Sequence, residues 1–280
     1  MIALVVGAGG QLGRALVRRG AVAGLPVVGL TRADLDLTDP DAIAAALDAH
    51  RPSLVINAAA FTAVDRAERE RLAAFAVNAT AVGHLAAACA ARSSRLVHVS
   101  TDHVFAGERD QPIDEDQPPA PVNVYGASKL AGERAARAAG ATVIRTSWLF
   151  APDGWGFVPA IVRAARAGQV IRAIADRHGR PTSVEHLAAA IDTLAVAPVG
   201  VYHVAGAEPT TWHGLAEAIV GALGVEAEVR AISATAYPQA APRPRFAVLA
   251  TARAEALGVE MPSWRPALAA AVAALALAGR

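Results

Sequence analysis

The chain has 280 residues, of which 54% are hydrophobic and 18% charged, with 26 basic side chains against 25 acidic ones. Hydrophobicity at this level with a formal charge of +1 excludes intrinsic disorder, and it leaves no one-signed field to hold a nucleic-acid backbone or an anionic membrane. The single cysteine, Cys89, excludes an intramolecular disulfide and a cysteine-built metal cluster, and it points to a reducing compartment.

The first element is a strand-type run, Ile2-Ala3-Leu4-Val5-Val6, with no basic and apolar leader ahead of it, so a cytoplasmic location is expected. Further apolar β-type runs follow at Val27–Leu30, Leu54–Ile56, Leu96–Val99 and Thr142–Arg145. Alanine-rich, helix-favouring stretches separate them: Leu12–Gly20, Ala42–Ala49, Arg69–Ala91 and Ser128–Ala139. Continuous apolar strands spaced by helices predict a Rossmann-type, doubly wound parallel sheet covered on both faces. The rhythm breaks after Trp148, in segments rich in Pro, Gly and Arg that predict a second, smaller α/β lobe for the substrate. The expected division is 1–147 with 183–205 for the cofactor, and 148–182 with 206–280 for the substrate. The apolar stretch Ala267 to Ala278 is too short to span a bilayer and reads as a packed terminal helix.

Directly after the first strand stands Gly7-Ala8-Gly9-Gly10-Gln11-Leu12-Gly13, opening a helix. Glycines at 7, 10 and 13 allow a tight turn, close approach to a diphosphate, and close helix–strand packing. The helix N-terminus adds free N–H groups. At the end of the second long strand an NAD site wants an acid for the ribose hydroxyls, yet the residues are Gly29-Leu30-Thr31-Arg32. NADPH is therefore expected, with Arg32 on the 2′-phosphate and NADH as the alternative; Asp34 and Asp36 can approach the adenosine half.

Ser100-Thr101-Asp102 follows the fourth strand, and Tyr125-Gly126-Ala127-Ser128-Lys129 opens a helix. Tyr125 and Lys129 lie one turn apart on one helix face. A phenol with a pKa near 10 is a poor proton carrier at neutral pH, and a nearby ammonium would bring it down. Thr101 stands at the carboxyl end of a parallel strand, where its hydroxyl can bond the substrate oxygen that gains charge.

With these motifs the sequence resembles the short-chain dehydrogenase/reductase superfamily, in its extended, nucleotide-sugar-modifying branch, and within it the dTDP-4-dehydrorhamnose reductases. The likeness rests on the glycine turn, Val55-Ile56-Asn57-Ala58-Ala59-Ala60-Phe61-Thr62-Ala63-Val64-Asp65, Val77-Asn78 and Ser100-Thr101-Asp102-His103-Val104-Phe105. It continues in Asn123 to Glu133 and Arg145-Thr146-Ser147-Trp148, and it thins over Gly179-Arg180-Pro181-Thr182 and Arg243-Pro244-Arg245. The resemblance implies hydride transfer from the nicotinamide to the C4 ketone of a dTDP-4-keto-6-deoxyhexose. Tyr125 would protonate the alkoxide, Lys129 would tune Tyr125 and bond the nicotinamide ribose, and Thr101 would orient the ketone. It places Gly7, Gly10, Gln11, Leu12, Arg32, Asp36, Leu37, Ala58, Ala59 and Ala60 on the cofactor. Thr101, Asp102, His103 and Trp148 would meet the sugar, although a large aromatic at the lobe junction also suits plain packing.

Three departures stand out. His103 takes the place of the family's usual tyrosine, and Arg177 that of a glutamine in Asp176-Arg177-His178-Gly179-Arg180-Pro181-Thr182. Ala15 replaces the glutamate that some relatives use for a magnesium-bridged dimer. An alanine cannot ligate a hard cation, so no metal site and a monomer are expected. His98 and His84 read as core or boundary residues, Cys89 as part of a small-residue helix face, and Asp114-Glu115-Asp116 as a solvated loop. Two other functions share the fold: an epimerase or dehydratase on a nucleotide sugar, and a non-catalytic NADP-binding regulatory subunit. Asp102-His103 does not match a dehydratase's acid pair, and intact Thr101, Tyr125 and Lys129 favour catalysis.

Overall fold

Strands with no polar face must be covered on both sides, and the apolar runs of this chain are arranged accordingly. The computed structural model describes residues 1–153 and 155–278. In chain order the first half contains β1 (Ala3–Val6), α1 (Gln11–Arg19), β2 (Ala21–Val22), β3 (Leu25–Leu30), α2 (Pro40–His50) and β4 (Leu54–Asn57). Next come α3 (Val64–Arg69), α4 (Arg71–Phe75), a π-helical turn (Ala76–Thr80), α5 (Ala81–Ala91) and β5 (Arg95–Thr101). A 3-10 turn (Asp102–Val104), α6 (Val124–Ala138) and β6 (Thr142–Thr146) complete this half.

The second half contains β7 (Leu149–Phe150), α7 (Phe157–Arg166), β8 (Ile171–Ile174), β9 (His178–Gly179), β10 (Thr182–Ser183) and α8 (Val184–Leu194). It ends with β11 (Val201–His203), β12 (Thr210–Thr211), α9 (Trp212–Leu223), β13 (Val229–Ile232), α10 (Ala252–Glu255) and α11 (Trp264–Ala278).

Seven strands form one sheet in the order β11-β6-β5-β4-β1-β3-β2. All pair in parallel except β2, which closes one edge antiparallel to β3. The expected doubly wound fold is therefore present. The chain runs from β1 to β3 on one side and returns to β4 on the other, so the order reverses between β1 and β4. That reversal opens a crevice at the carboxyl ends of those strands, beside Val6 and its partner Asn57. Leu12, Leu16, Leu187 and Ile191 of α1 and α8 fill one face of the sheet. Ile43, Leu47, Val82, Leu85 and Cys89 of α2 and α5 fill the other. Cys89 is inert there, its thiol pushed up to about 12 by burial.

The remaining elements build a second core from Phe150, Ile161, Leu215, Trp264 and Leu268, around the parallel pair β8–β13 and helices α7, α9 and α11. Trp264 is fully buried, and its Nε1 donates to the Glu208 carbonyl at 3.0 Å, which pins the terminal helix as a packed element.

Two expectations are corrected. The predicted helix Arg69–Ala91 is not continuous: α3 ends at Arg69, and the π turn interrupts the rest. The cause is Asn78, whose Nδ2 donates to the Phe61 carbonyl and to Ser128 Oγ at 3.0 Å each, while Oδ1 accepts the Phe61 N–H at 2.8 Å. Those bonds fix the loop after β4 against α6, and helical spacing yields to them. Glu115 is not solvated either; its carboxylate accepts the His203 N–H at 3.0 Å and satisfies a donor of edge strand β11.

Candidate active site

The glycine turn packs too closely for any side chain at two positions. Gly7 has φ +83°, and a Cβ there would fall 2.6 Å from Ala59 N; at Gly13 it would fall 2.2 Å from the Gly7 carbonyl oxygen. The turn is braced on β3, because Gly7 N–H and Ala8 N–H both donate to the Leu30 carbonyl, at 3.0 and 2.9 Å. Helix α1 starts with Gly10 as its cap and no side-chain capping bond, so its leading N–H groups stay available. This cradle suits a diphosphate, and Ala58 and Ala59 border it on the β4 side, with Ala60 next in the chain. Arg32 follows β3 and is exposed. Asp36 accepts from Thr38 N–H and Oγ1 at 2.9 and 2.7 Å. Leu37 is buried with Leu35 in the core.

At the carboxyl end of β5, the Thr101 hydroxyl donates to Asp102 Oδ1 at 2.9 Å and accepts the His103 N–H at 3.2 Å. The Tyr125 ring meets His103 edge-on, with centroids 5.4 Å apart. Burial pushes the Tyr125 phenol up to about 12; hydrogen bonding with Thr101 opposes this, and the Asp102 charge adds to it. The expected lowering by Lys129 is not what the structure contains. Lys129 Nζ instead donates to the Val99 carbonyl at 2.7 Å and lies 3.3 Å from His98 Nε2. Burial brings Lys129 down to about 8 against the pull of Glu133. A reduction needs Tyr125 protonated at the outset, so a raised phenol serves it.

Burial pushes the Asp102 carboxyl up to about 7, opposed by hydrogen bonds from Thr101 and from the backbone of Asp102 and His103. The folded state therefore holds a proton that the unfolded chain has lost above about 3.9. The stability this proton supplies is complete below that value and is lost as pH rises toward 7. Asp102→Asn should gain on the wild type by roughly 1.4 kcal/mol per pH unit over that window and then level off. Urea unfolding of both proteins from pH 5 to pH 8 checks it; a constant difference would mean that the carboxyl is ionised throughout.

Helix α6 is aimed by its N-cap. Asn123 Oδ1 accepts the Gly126 N–H at 2.7 Å, and its Nδ2 donates to His103 Nδ1 at 3.0 Å and to the Pro242 carbonyl at 2.8 Å. An amide nitrogen only donates, so neutral His103 carries its hydrogen on Nε2. Burial brings His103 down to about 4, which keeps it neutral.

Across the crevice Trp148 adopts φ +46° and stacks on Trp212 with ring centroids 3.8 Å apart. Gly179 lies under it: a Cβ there would fall 2.5 Å from the Trp148 ring. A pocket of about 170 Å³ is lined by Gln11, Trp148, Phe150, Trp155, Phe157 and Trp212, and it joins the glycine-turn helix to the second core.

The sequence profile described as the RmlD substrate binding domain matches residues 1–277. The chain belongs to that family. It is 41% identical over 280 residues to a dTDP-4-dehydrorhamnose reductase of Streptomyces griseus, covering 95% of this chain and 91% of that one. It is 38% identical over 251 residues to a dTDP-4-keto-6-deoxy-D-glucose reductase of Streptomyces niveus, covering 88% and 87%. The crystal structure of dTDP-4-dehydrorhamnose reductase from Bacillus anthracis str. Ames, in complex with NADP, is similar with TM-score 0.92 and 32% identity over 96% of this chain and 98% of that one.

In this member of the RmlD family the fold brings Thr101, Asp102, His103 and Tyr125 together at the end of β5, and the glycine turn and Ala58–Ala60 together at the crevice. Arg32 and Asp36 stand at the rim beyond β3. Sequence reasoning left three participants in the background. His98 is completely buried and touches both Lys129 and Asn57; Asn57 Nδ2 faces His98 Nδ1 at 3.1 Å. Asn78 ties the π turn to α6 through Ser128. A signal was present in the composition, since Lys129 is the single lysine among 26 basic residues. Arginine serves everywhere else; only an amine can titrate at this position.

Proposed function

We propose that this chain is an NADPH-dependent reductase of the C4 ketone of dTDP-4-dehydro-L-rhamnose, or of a closely related dTDP-4-keto-6-deoxyhexose. The observation that carries the reading is the juxtaposition of a protonated, buried Tyr125 with Thr101 at the carboxyl end of β5, next to the switch-point cradle. Family membership and the named reductase relatives support the substrate class. Gly7, Gly10, Gln11 and Leu12 would hold the dinucleotide's diphosphate at the start of α1, with Ala58–Ala60 along its side. When bound, the nicotinamide supplies hydride.

The chain's own residues do the rest. The Thr101 hydroxyl orients the ketone oxygen, and Tyr125 gives its phenolic proton to that oxygen as negative charge develops there. His103, neutral with its hydrogen on Nε2, stands where the resemblance implies a tyrosine, and with Asp102 and Trp148 it would meet the sugar. The regulatory-subunit alternative is not favoured, because nothing in it requires a protonated phenol beside a strand-end hydroxyl. A monomeric, cytoplasmic enzyme with separate cofactor and sugar lobes belongs to the same reading, and the two cores support the two lobes.

Arg32 tests the cofactor preference. Arg32→Ala is expected to lower the ratio of kcat/KM for NADPH over NADH by about tenfold, the size of a lost charge-assisted bond. An unchanged ratio would leave Arg32 as a solvated surface residue. The reaction itself is tested by following NADPH absorbance with dTDP-4-keto-6-deoxyhexose prepared with and without 3,5-epimerisation. Oxidation with the epimerised sugar alone supports the L-rhamnose assignment. Oxidation with the unepimerised sugar alone supports the D-gluco specificity named for the Streptomyces niveus relative, and oxidation with neither removes the reading.

A further inference from the structure

Thr101 has more partners than one hydroxyl can serve, and that decides the state of its neighbour. A hydroxyl has one hydrogen and two lone pairs. Within the chain itself all are spent. Thr101 Oγ1 accepts the His103 N–H at 3.2 Å, donates to Asp102 Oδ1 at 2.9 Å, and shares a hydrogen bond with the neutral Tyr125 phenol. The single hydrogen is committed to Asp102, so the phenol is the donor in that last bond.

A ketone oxygen brings only lone pairs. It can take the Tyr125 hydrogen as it stands, but Thr101 orients it only by turning its own hydrogen away from Asp102. Thr101 Oγ1 is then left with the lone pair that Tyr125 vacated, facing a carboxyl oxygen at 2.9 Å. Two oxygens so placed with no hydrogen between them repel, and Asp102 is only 3% exposed, so solvent does not repair the contact. The arrangement closes when the Asp102 carboxyl carries a hydrogen and gives it to Thr101.

The surroundings of Asp102 suit that state. On α6, Tyr125 is neutral and Lys129 Nζ is turned to the Val99 carbonyl at 2.7 Å. On the 3-10 turn and on β5, burial keeps His103 and His98 neutral. Arg145 on β6 is paired with Glu133, Arg243 before α10 with Asp65 on α3, and Glu68 on α3 accepts the Val124 N–H. Asp102 therefore has no counter-ion among the described residues, and burial pushes its carboxyl up to about 7. The N–H groups of Asp102 and His103 face that carboxyl, so its carbonyl oxygen is matched to them and its O–H to Thr101.

We propose that Asp102 is a positioning residue that works as a neutral carboxylic acid: by donating to Thr101 it turns the Thr101 hydrogen onto the substrate ketone. The proposal rests on the reductase reading for the ketone. Thr101 then keeps a full set of partners, accepting from His103 N–H and Asp102 O–H and donating to the substrate, while Tyr125 points its own hydrogen at the same oxygen. Ionised Asp102 does the reverse. A carboxylate holds the Thr101 hydrogen in a charge-assisted bond and sets negative charge beside the developing alkoxide.

The pH dependence of kcat/KM for the dTDP-4-keto-6-deoxyhexose reads groups of the free enzyme and tests this role. For the wild type it should fall with a midpoint at about 7. The loss by pH 9 should be about tenfold or more, the size of one hydrogen bond to a charged oxygen. In Asp102→Asn the amide cannot ionise; its oxygen meets the same N–H groups and its nitrogen donates to Thr101. That variant should lose the midpoint near 7 and fall only at about 8 or above, where Lys129 titrates. A fall near 7 that persists in folded Asp102→Asn would overturn the proposal, as would a wild-type profile that is flat from pH 6 to pH 9. Infrared difference spectra between the two proteins read the carboxyl without turnover. The C=O stretch of a protonated acid should be present in the wild type at pH 6 and gone at pH 9, and its absence at pH 6 would also overturn the proposal. A missing band strikes the role of Asp102, whereas missing turnover strikes the reductase reading on which that role rests.

Discussion

Replacing Tyr125 with phenylalanine is expected to lower kcat for ketone reduction by about 10²–10⁴-fold, the usual contribution of a positioned general acid. The fold should survive the change. The ring packs with Ala67, Ala74 and Val124 and meets His103 edge-on, and phenylalanine retains all of that contact. Only the hydroxyl and its bond with Thr101 are lost, a change of about 1 kcal/mol in stability. NADPH absorbance under saturating substrate gives kcat, and quenching of protein fluorescence gives the NADPH dissociation constant, which should stay within about twofold because the cradle is untouched. A variant that turns over at the wild-type rate would remove Tyr125 as the proton donor and, with it, the main support for the reductase mechanism.

Breaking the buried ion pair beneath that helix should have the largest effect on stability. Arg145 donates from Nε and Nη2 to Glu133 at 2.8–3.2 Å, and both side chains are 1% exposed. Ser100 Oγ donates to the same carboxylate at 2.5 Å, and the guanidinium stands 4.9 Å over the Phe105 ring. On the far side Arg145 Nη1 lies 3.4 Å from His203 Nε2, while His203 Nδ1 is 3.1 Å from the Ile113 and Ala250 carbonyls. The network thus joins α6 to β5, β6 and β11. Arg145→Met leaves a buried carboxylate without its counter-ion, which costs about 3–5 kcal/mol, or on the order of 10 °C in melting temperature. Activity should fall as well, because α6 carries Tyr125 and Lys129. Adding Glu133→Leu removes the stranded charge and should restore most of the stability. Calorimetry of the single and double variants decides it; a double variant no more stable than the single would show that shape, not charge, is what the pair contributes.

Much of the fold could be read from periodicity. Each of the five apolar runs is a strand of the large sheet, and the glycine turn opens a helix where the spacing places it. What the runs did not reveal were the short edge strands, β2 and β11, whose few residues carry too little pattern to separate from loop. The long alanine-rich stretch through residues 69–91 looked like one helix because alanine favours helix everywhere. Its break depends on Asn78 finding partners at Phe61 and Ser128, contacts between segments far apart in sequence. Glu115 misled for the same reason: in an acidic cluster it reads as solvated, and it is buried only because an edge strand needs an acceptor.

The sequence by itself determined what chemistry the chain can carry. A tyrosine and a lysine at helical spacing, a threonine ending a strand, glycines spaced through a strand-to-helix turn, and an arginine in place of an acid after β3 are local facts that need no partner. The state of those groups was decided only by tertiary structure. Lys129 is brought down to about 8 by burial beside His98, whether His98 carries its hydrogen on Nδ1 or Nε2 depends on Asn57, and the three reside on α6, β5 and β4. Burial supplies the reason. In water each group would take its partners from solvent and keep its ordinary protonation, whereas in the closed wall of the crevice every hydrogen must be matched to an acceptor on a neighbouring element.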